Sequence, residues 1–180
     1  MSYQLGYLDI FKAQLPVLLI TFLIIGLLTA IVGTATKNED HKYLLKPKWI
    51  FAGLSLPSIL LLSVLVLTQV NSGWTLESNG QLQIKAYATR TIKIDNIKVE
   101  LSDSRGQWYP VHRKHGYGTN DLATGWFTLR NGIEALAFLH LASPQIVHII
   151  ADGQHYILAH PGVECLYSEL LNRGASVMPR

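Results

Sequence analysis

The chain has 180 residues, 49% of them hydrophobic, with 15 basic and 12 acidic side chains. Residues 75–180 carry ten Lys or Arg and nine Asp or Glu, so this part has no basic excess of the kind that nucleic-acid binding requires. The single cysteine, Cys165, excludes an intramolecular disulfide. It falls in an amphipathic helical pattern, where we expect a buried thiol.

Two long stretches without ionisable side chains lie near the N-terminus, at residues 13–36 and 49–76. A bilayer core about 30 Å thick needs roughly 20 apolar helical residues, and each stretch is long enough. We therefore predict a transmembrane hairpin in residues 1–73, with spans at about 14–36 and 49–72. The leader before the first span carries Asp9 and lacks a basic n-region, which favours a retained helix over a cleaved signal peptide. Trp49 and Trp74 bracket the second span and suit the two membrane interfaces.

Charge around the spans predicts their orientation. The connecting segment carries four lysines, Lys37, Lys42, Lys46 and Lys48, whereas the N-terminal tail carries only Lys12. Short basic loops stay in the cytoplasm, so we expect both termini to lie outside. Neither span contains an ionisable residue, which favours an anchor or packing unit over a transporter.

Residues 74–180 show the pattern of a small domain with about seven strands. Strong two-residue hairpin signals occur at Asn79-Gly80, Asn131-Gly132 and Asp152-Gly153. Residues 108–113 read as a strand and residues 115–118 as a loop. Residues 133–141 suit either a helix or a strand, and their place directly after Gly132 favours a strand.

The end of the domain reads as an amphipathic helix. Val163, Leu166 and Leu170 recur at helical spacing, and Arg173 with Gly174 marks the end of the helix. We expect these three apolar side chains to pack into the core.

The domain resembles bacterial pleckstrin-homology-like (PH-like) domains that occur attached to membrane helices. The resemblance rests on four ordered segments: Gly-Tyr-Gly-Thr at 116–119, Gly-Trp-Phe-Thr-Leu-Arg-Asn-Gly at 125–132, Val-His-Ile-Ile-Ala-Asp-Gly at 147–153, and Tyr-Ile-Leu-Ala-His-Pro at 156–161. It implies an α+β fold in which about seven antiparallel strands form a bent, partly open barrel capped by the C-terminal helix. It implies no chemistry, because a fold alone does not define a function.

Histidines are the first candidates for chemistry. In the hairpin around Asp152-Gly153, the register places His148 and His155 on one face, as two metal ligands would be. His112 and His115 add a His-x-x-His spacing, yet zinc needs three or four converging ligands. The alternative is that His148 and His155 belong to a mixed sheet face. Without a nucleophile or phosphate-loop motif, we predict no catalytic, metal-binding or cofactor-binding residues and no enzyme activity.

The densest basic cluster is a candidate for binding an anion or a partner. It comprises His112, Arg113, Lys114 and His115, with Trp126 nearby. Arginine and lysine bind lipid phosphates and acidic partners. The alternative is an ordinary solvated loop tip.

Together these patterns predict a multi-pass protein of the bacterial cytoplasmic membrane with an extracytoplasmic C-terminal domain. We expect a non-enzymatic binding or scaffolding role, with the lipid bilayer and another membrane or envelope protein as partners and no nucleic acid. One alternative is an accessory subunit whose hairpin packs against a larger membrane complex. A metal-dependent hydrolase that uses the histidines is a third possibility.

Overall fold

A computed structural model describes residues 1–35 and 47–179, so most of the predicted basic connection lies outside the described residues. The chain forms two units. One is Tyr7–Val70, and the other combines Met1–Gly6 with Asn71–Arg180.

The first unit consists of two helices that pack against each other, α1 (Tyr7–Ala35) and α2 (Pro47–Gln69). Helix α1 begins before the predicted start at about residue 14. Its segment Tyr7–Val32 is the one described helical stretch that is long and apolar enough to cross a bilayer. The corresponding apolar part of α2, Phe51–Leu61, is shorter. The structure thus supports one membrane helix near the N-terminus.

The second unit is rich in β-structure and contains two sheets. The first has the order β1-β2-β3-β4, and the second has the order β11-β5-β9-β10-β8-β7-β6. The strands are β1 (Ser2–Gln4), β2 (Gly73–Leu76), β3 (Gln81–Lys85), β4 (Thr89–Lys93), β5 (Lys98–Asp103), β6 (Pro110–Gly118), β7 (Leu122–Leu129), β8 (Glu134–His140), β9 (Gln145–Ala151), β10 (Gln154–Ala159) and β11 (Ser176–Val177).

All three predicted hairpins are confirmed. Antiparallel pairs β2–β3, β7–β8 and β9–β10 flank the three turn dipeptides. In the last of them Asp152 and Gly153 have φ values of 50° and 74°, the positive values that a tight two-residue turn needs. The ambiguous residues after Gly132 form strand β8, as predicted.

The strand count and the arrangement of the strands differ from the prediction. The described residues contain eleven strands instead of about seven, and the sheets are not closed into a barrel. The strands are also not all antiparallel, because β10 runs parallel to β8 and β11 runs parallel to β5. Strand β10 lies between β8 and β9, which are joined by residues 141–144. Turn signals specify neighbouring hairpins, but they do not reveal such a non-local insertion.

Residues 110–118 form one strand, β6, at the edge of the second sheet, so the predicted loop at 115–118 is wrong. Gly116 lies opposite Gly125 in β7. A Cβ atom at Gly116 would lie 2.0 Å from the Thr124 carbonyl oxygen, and one at Gly125 would lie 2.1 Å from that of His115. These glycines allow β6 and β7 to approach each other closely. Glycine is also common in loops, which is the reason that residues 115–118 resemble a loop in the sequence.

The predicted C-terminal helix is confirmed as α3 (Val163–Asn172), which packs against β5 and β9. Val163, Leu166 and Leu170 are fully buried. Cys165 is exposed, so the expectation of a buried thiol is wrong. Its position lies between the inward-facing positions 163 and 166 of the helix and turns away from the core.

Candidate functional site

The predicted basic cluster lies on the edge strand β6. The side chains of His112, Arg113, Lys114 and His115 are all exposed, and Trp126 on β7 is half-buried. The register pairs His115 with Trp126 and Arg113 with Phe127. Since Trp126 and Phe127 are consecutive in a strand, their partners project from opposite faces. Arg113 is therefore separated from the face that His115 shares with Trp126.

A nearby carboxylate makes this cluster less favourable for binding an anion. The Lys114 ammonium group forms an ion pair with the Glu134 carboxylate on β8. The register of β6 against β7 shifts twice, between Pro110 and His112 and between Arg113 and His115. Charged residues and bulges on an exposed edge prevent pairing with other strands. The ion pair and the edge position of β6 explain why charged side chains occur here, and no ligand is needed to explain them.

A second group of side chains lies on the second sheet, where the predicted register of His148 and His155 is correct. His148 Nε2 and His155 Nδ1 are 2.8 Å apart, within hydrogen-bond distance. Their ring planes are inclined by only 12°. Nearly parallel rings with nitrogens this close cannot be stacked at van der Waals distance, so they meet edge to edge. One N–H donates directly to the other ring, which leaves no space for an ion between the two nitrogens.

Trp108, from the segment between β5 and β6, covers this histidine pair. Its ring centroid lies 4.0 Å from that of His148 and 6.0 Å from that of His155. Trp108 also lines an open groove of about 500 Å³ with Lys98, Glu100 and Ile150. His148 itself is completely buried beneath it.

Burial dominates the protonation of this pair. It lowers the pKa of His148 to about 4, with a smaller contribution from the neighbouring His155. Burial also lowers the pKa of His155. His148 Nδ1 and Trp108 Nε1 have no hydrogen-bond partner in residues 1–35 and 47–179. No cluster of three or more His, Cys, Asp or Glu side chains that could hold a metal ion occurs in those residues either.

A third group links both sheets, and the sequence pattern gave no sign of it. The Trp74 indole N–H donates to His160 Nε2 at 2.9 Å, and His160 Nδ1 donates to the carbonyl oxygen of Pro161. These two bonds require the neutral Nδ1–H tautomer, and burial lowers the pKa of His160. Tyr3 stacks on the His160 ring at 3.8 Å.

In this third group Trp74 has a structural role and not a role at the membrane interface. Trp74 is 2% exposed, so its expected position at the membrane interface is wrong. The Tyr3 hydroxyl also forms a hydrogen bond with His140 Nδ1 at 2.6 Å. Strand β1 is thereby attached to β2, β8 and the end of β10. The group stabilises the domain and contains no evident reactive centre.

Comparison with protein-family models, curated proteins and solved structures finds no match for this chain.

Proposed function

We propose that this chain is an integral membrane protein that crosses the bilayer twice and holds a non-enzymatic PH-like binding domain at the membrane surface. The partner would be another membrane or envelope protein. By the lysine distribution, the domain would lie outside the cytoplasmic membrane of a bacterium.

The pairing of β1 with β2 is the observation that carries this proposal. Strand β1 precedes both helices and β2 follows them, yet they are hydrogen-bonded neighbours in one sheet. Beyond the strands, the Leu5 N–H donates to the Ser72 carbonyl at 2.9 Å, and the Asn71 N–H donates to the Leu5 carbonyl at 3.1 Å. Both ends of the helical segment therefore meet on one side of any bilayer. This pairing supports an even number of crossings, in which α2 returns across the membrane that α1 spans.

Helix length and surface chemistry support two crossings. At about 1.5 Å per residue, the 29 residues of α1 and the 23 of α2 extend roughly 43 and 34 Å, more than the bilayer core. Large apolar side chains are exposed on both helices, including Leu23 at 70% and Leu60 at 67%. A surface of this kind is expected to face lipid or another protein.

The buried titratable groups favour binding over catalysis. His148 pairs with His155, and both ring nitrogens of His160 take part in hydrogen bonds. The domain thus uses these groups to order its core, and its exposed faces are left for interactions.

The structure suggests a direct test, in which the helices are removed and the domain is kept. The Leu5 backbone is hydrogen-bonded to both Ser72 and Asn71, so a short linker such as Asn-Gly can join Gly6 to Asn71 in place of residues 7–70. We expect this shortened chain to be soluble and folded, and the full chain to resist alkaline extraction from membranes. Release of the full chain by alkali would contradict the anchor.

Comparing the full chain with the shortened chain also shows whether the domain or the hairpin binds the partner. We expect the shortened chain to capture the partner that the full chain captures in mild detergent. Capture by the full chain alone would mean that the hairpin carries the interaction. That result would support an accessory subunit of a larger membrane complex.

A further inference from the structure

The first sheet has one apolar face and one polar face. Trp74, Leu82 and Ile84 are among its buried residues. The alternating positions project from the other face and are exposed or half-exposed apart from a single glycine. They are Ser2, Gln4, Gly73, Thr75, Gln81, Gln83, Lys85, Thr89, Thr91 and Lys93. The positions just named include two lysines, and Glu77 continues the face beyond β2, opposite Gln81 at the end away from Gly73.

A hollow of about 250 Å³ lies on the polar face over Gly73. Gly73 has a φ of 142°, and a Cβ atom there would lie 2.0 Å from the Tyr3 carbonyl oxygen. Only glycine fits this position, because a side chain there would collide with the backbone of β1. The polar side chains around the hollow are Gln4, Asn71, Thr75, Gln83 and Lys85.

Short connections along the chain join two residues of this hollow to the two helices. Gln4 is three residues before the start of α1, and Asn71 is two residues after the end of α2. An extended chain covers at most about 3.6 Å per residue, so both lie within roughly 11 Å of a helix end. If the helices span the bilayer, this distance places the hollow near the lipid headgroups.

We propose that this hollow binds the phosphate group of an anionic membrane lipid. The Lys85 ammonium and the side-chain amides of Gln4, Asn71 and Gln83 all carry N–H donors, and a phosphate offers only acceptors. Two of these amides belong to Gln4 and Asn71, which short connections join to the helices. The carboxylate of Glu77 belongs to the other end of the face, opposite Gln81, whereas Lys85 lies opposite Gly73. The proposal rests on the membrane anchoring proposed above and names a ligand for it.

Lys93 provides a matched control on the same face. The register pairs Lys85 with Gly73 and Thr89, whereas Lys93 pairs with Gln81 at the other end of β3. Positions 85 and 81 are four residues apart on β3, so the sites of Lys85 and Lys93 are separated by about 13 Å. This distance exceeds the Debye length of about 8 Å at physiological salt. A lipid bound in the hollow therefore senses Lys85 and not Lys93.

The test compares the full chain with Lys85→Gln and Lys93→Gln in nanodiscs that contain phosphatidylglycerol and phosphatidylcholine. Native mass spectrometry after release from the nanodiscs counts the lipids that each protein retains. We expect preferential retention of phosphatidylglycerol by the parent and by Lys93→Gln. Removing one charge-assisted hydrogen bond should weaken retention by Lys85→Gln about tenfold or more. Equal retention by parent and Lys85→Gln, or an equal loss in both variants, would overturn the proposal.

Two further measurements separate the possible causes of failure. Alkaline extraction of the same proteins tests the anchoring independently, so a firmly embedded chain without lipid preference would refute only the headgroup site. Titration with glycerol phosphate in phosphatidylcholine nanodiscs tests a soluble phosphate. Tight binding of glycerol phosphate through Lys85, without retention of phosphatidylglycerol, would overturn the assignment to lipid.

Discussion

The buried histidine pair should make the domain sensitive to acid. The pKa of His148 is about 4 in the folded chain, and an unfolded histidine has a pKa of about 6.5. Below pH 6.5 the unfolded state therefore binds more protons, and the free energy of unfolding falls until the pH approaches 4. Between pH 7 and pH 5 this single group should cost about 2 kcal/mol. His155 and His160, whose pKa values burial also lowers, act in the same direction.

His148→Phe isolates this contribution. Phenylalanine keeps a ring against Trp108 but cannot be protonated. We expect a loss of about 1 kcal/mol at pH 7 from the missing hydrogen bond and a smaller difference between pH 7 and pH 5 than in the parent. Urea unfolding of the shortened chain, followed by tryptophan fluorescence, measures both values. The exposed His112→Gln variant is the control and should retain the acid sensitivity of the parent. An undiminished pH difference in His148→Phe would show that His148 is not the source of the acid sensitivity.

Three other outcomes are expected. Leu166→Ala removes a fully buried side chain of α3 and should cost about 2–5 kcal/mol in urea unfolding; an unchanged stability would mean that the helix is not part of the core. Arg113→Ala combined with Lys114→Ala should change stability by no more than about 0.5 kcal/mol, because exposed ion pairs contribute little. If the β6 cluster binds an anion or partner, the same double variant should weaken that binding, measured by pulldown or vesicle flotation, and unchanged binding would leave an ordinary edge strand. A strong chelator should leave the melting temperature unchanged, and a large drop would indicate a structural metal.

Local features of the sequence predicted the local parts of the fold. The three turn dipeptides each specify a hairpin, and the helical spacing of Val163, Leu166 and Leu170 specifies the buried face of α3. The register around Asp152-Gly153 was sufficient to place His148 beside His155, because the side-chain period of a strand is fixed.

Features that depend on distant partners were missed. Strand β1 is only three residues long, and its partner follows about 70 residues later, so no local pattern identifies it. Trp108 contacts the histidine pair from a connecting segment. Tyr3, in the first sheet, stacks on His160, which follows the last residue of β10 in the second sheet. The order of β8, β9 and β10 likewise results from packing and not from turn chemistry.

In the proposed topology, β1 and the C-terminal domain lie on the same side of a membrane that the chain crosses twice. Cys165 is the single cysteine and is exposed, so a membrane-impermeant maleimide reports the side on which the domain lies. Ser2→Cys combined with Cys165→Ser moves this reporter to β1, where Ser2 is exposed. We predict that both proteins are labelled in intact cells, as the lysine distribution requires. Labelling of one position in intact cells, with protection of the other until lysis, would contradict the two-crossing topology.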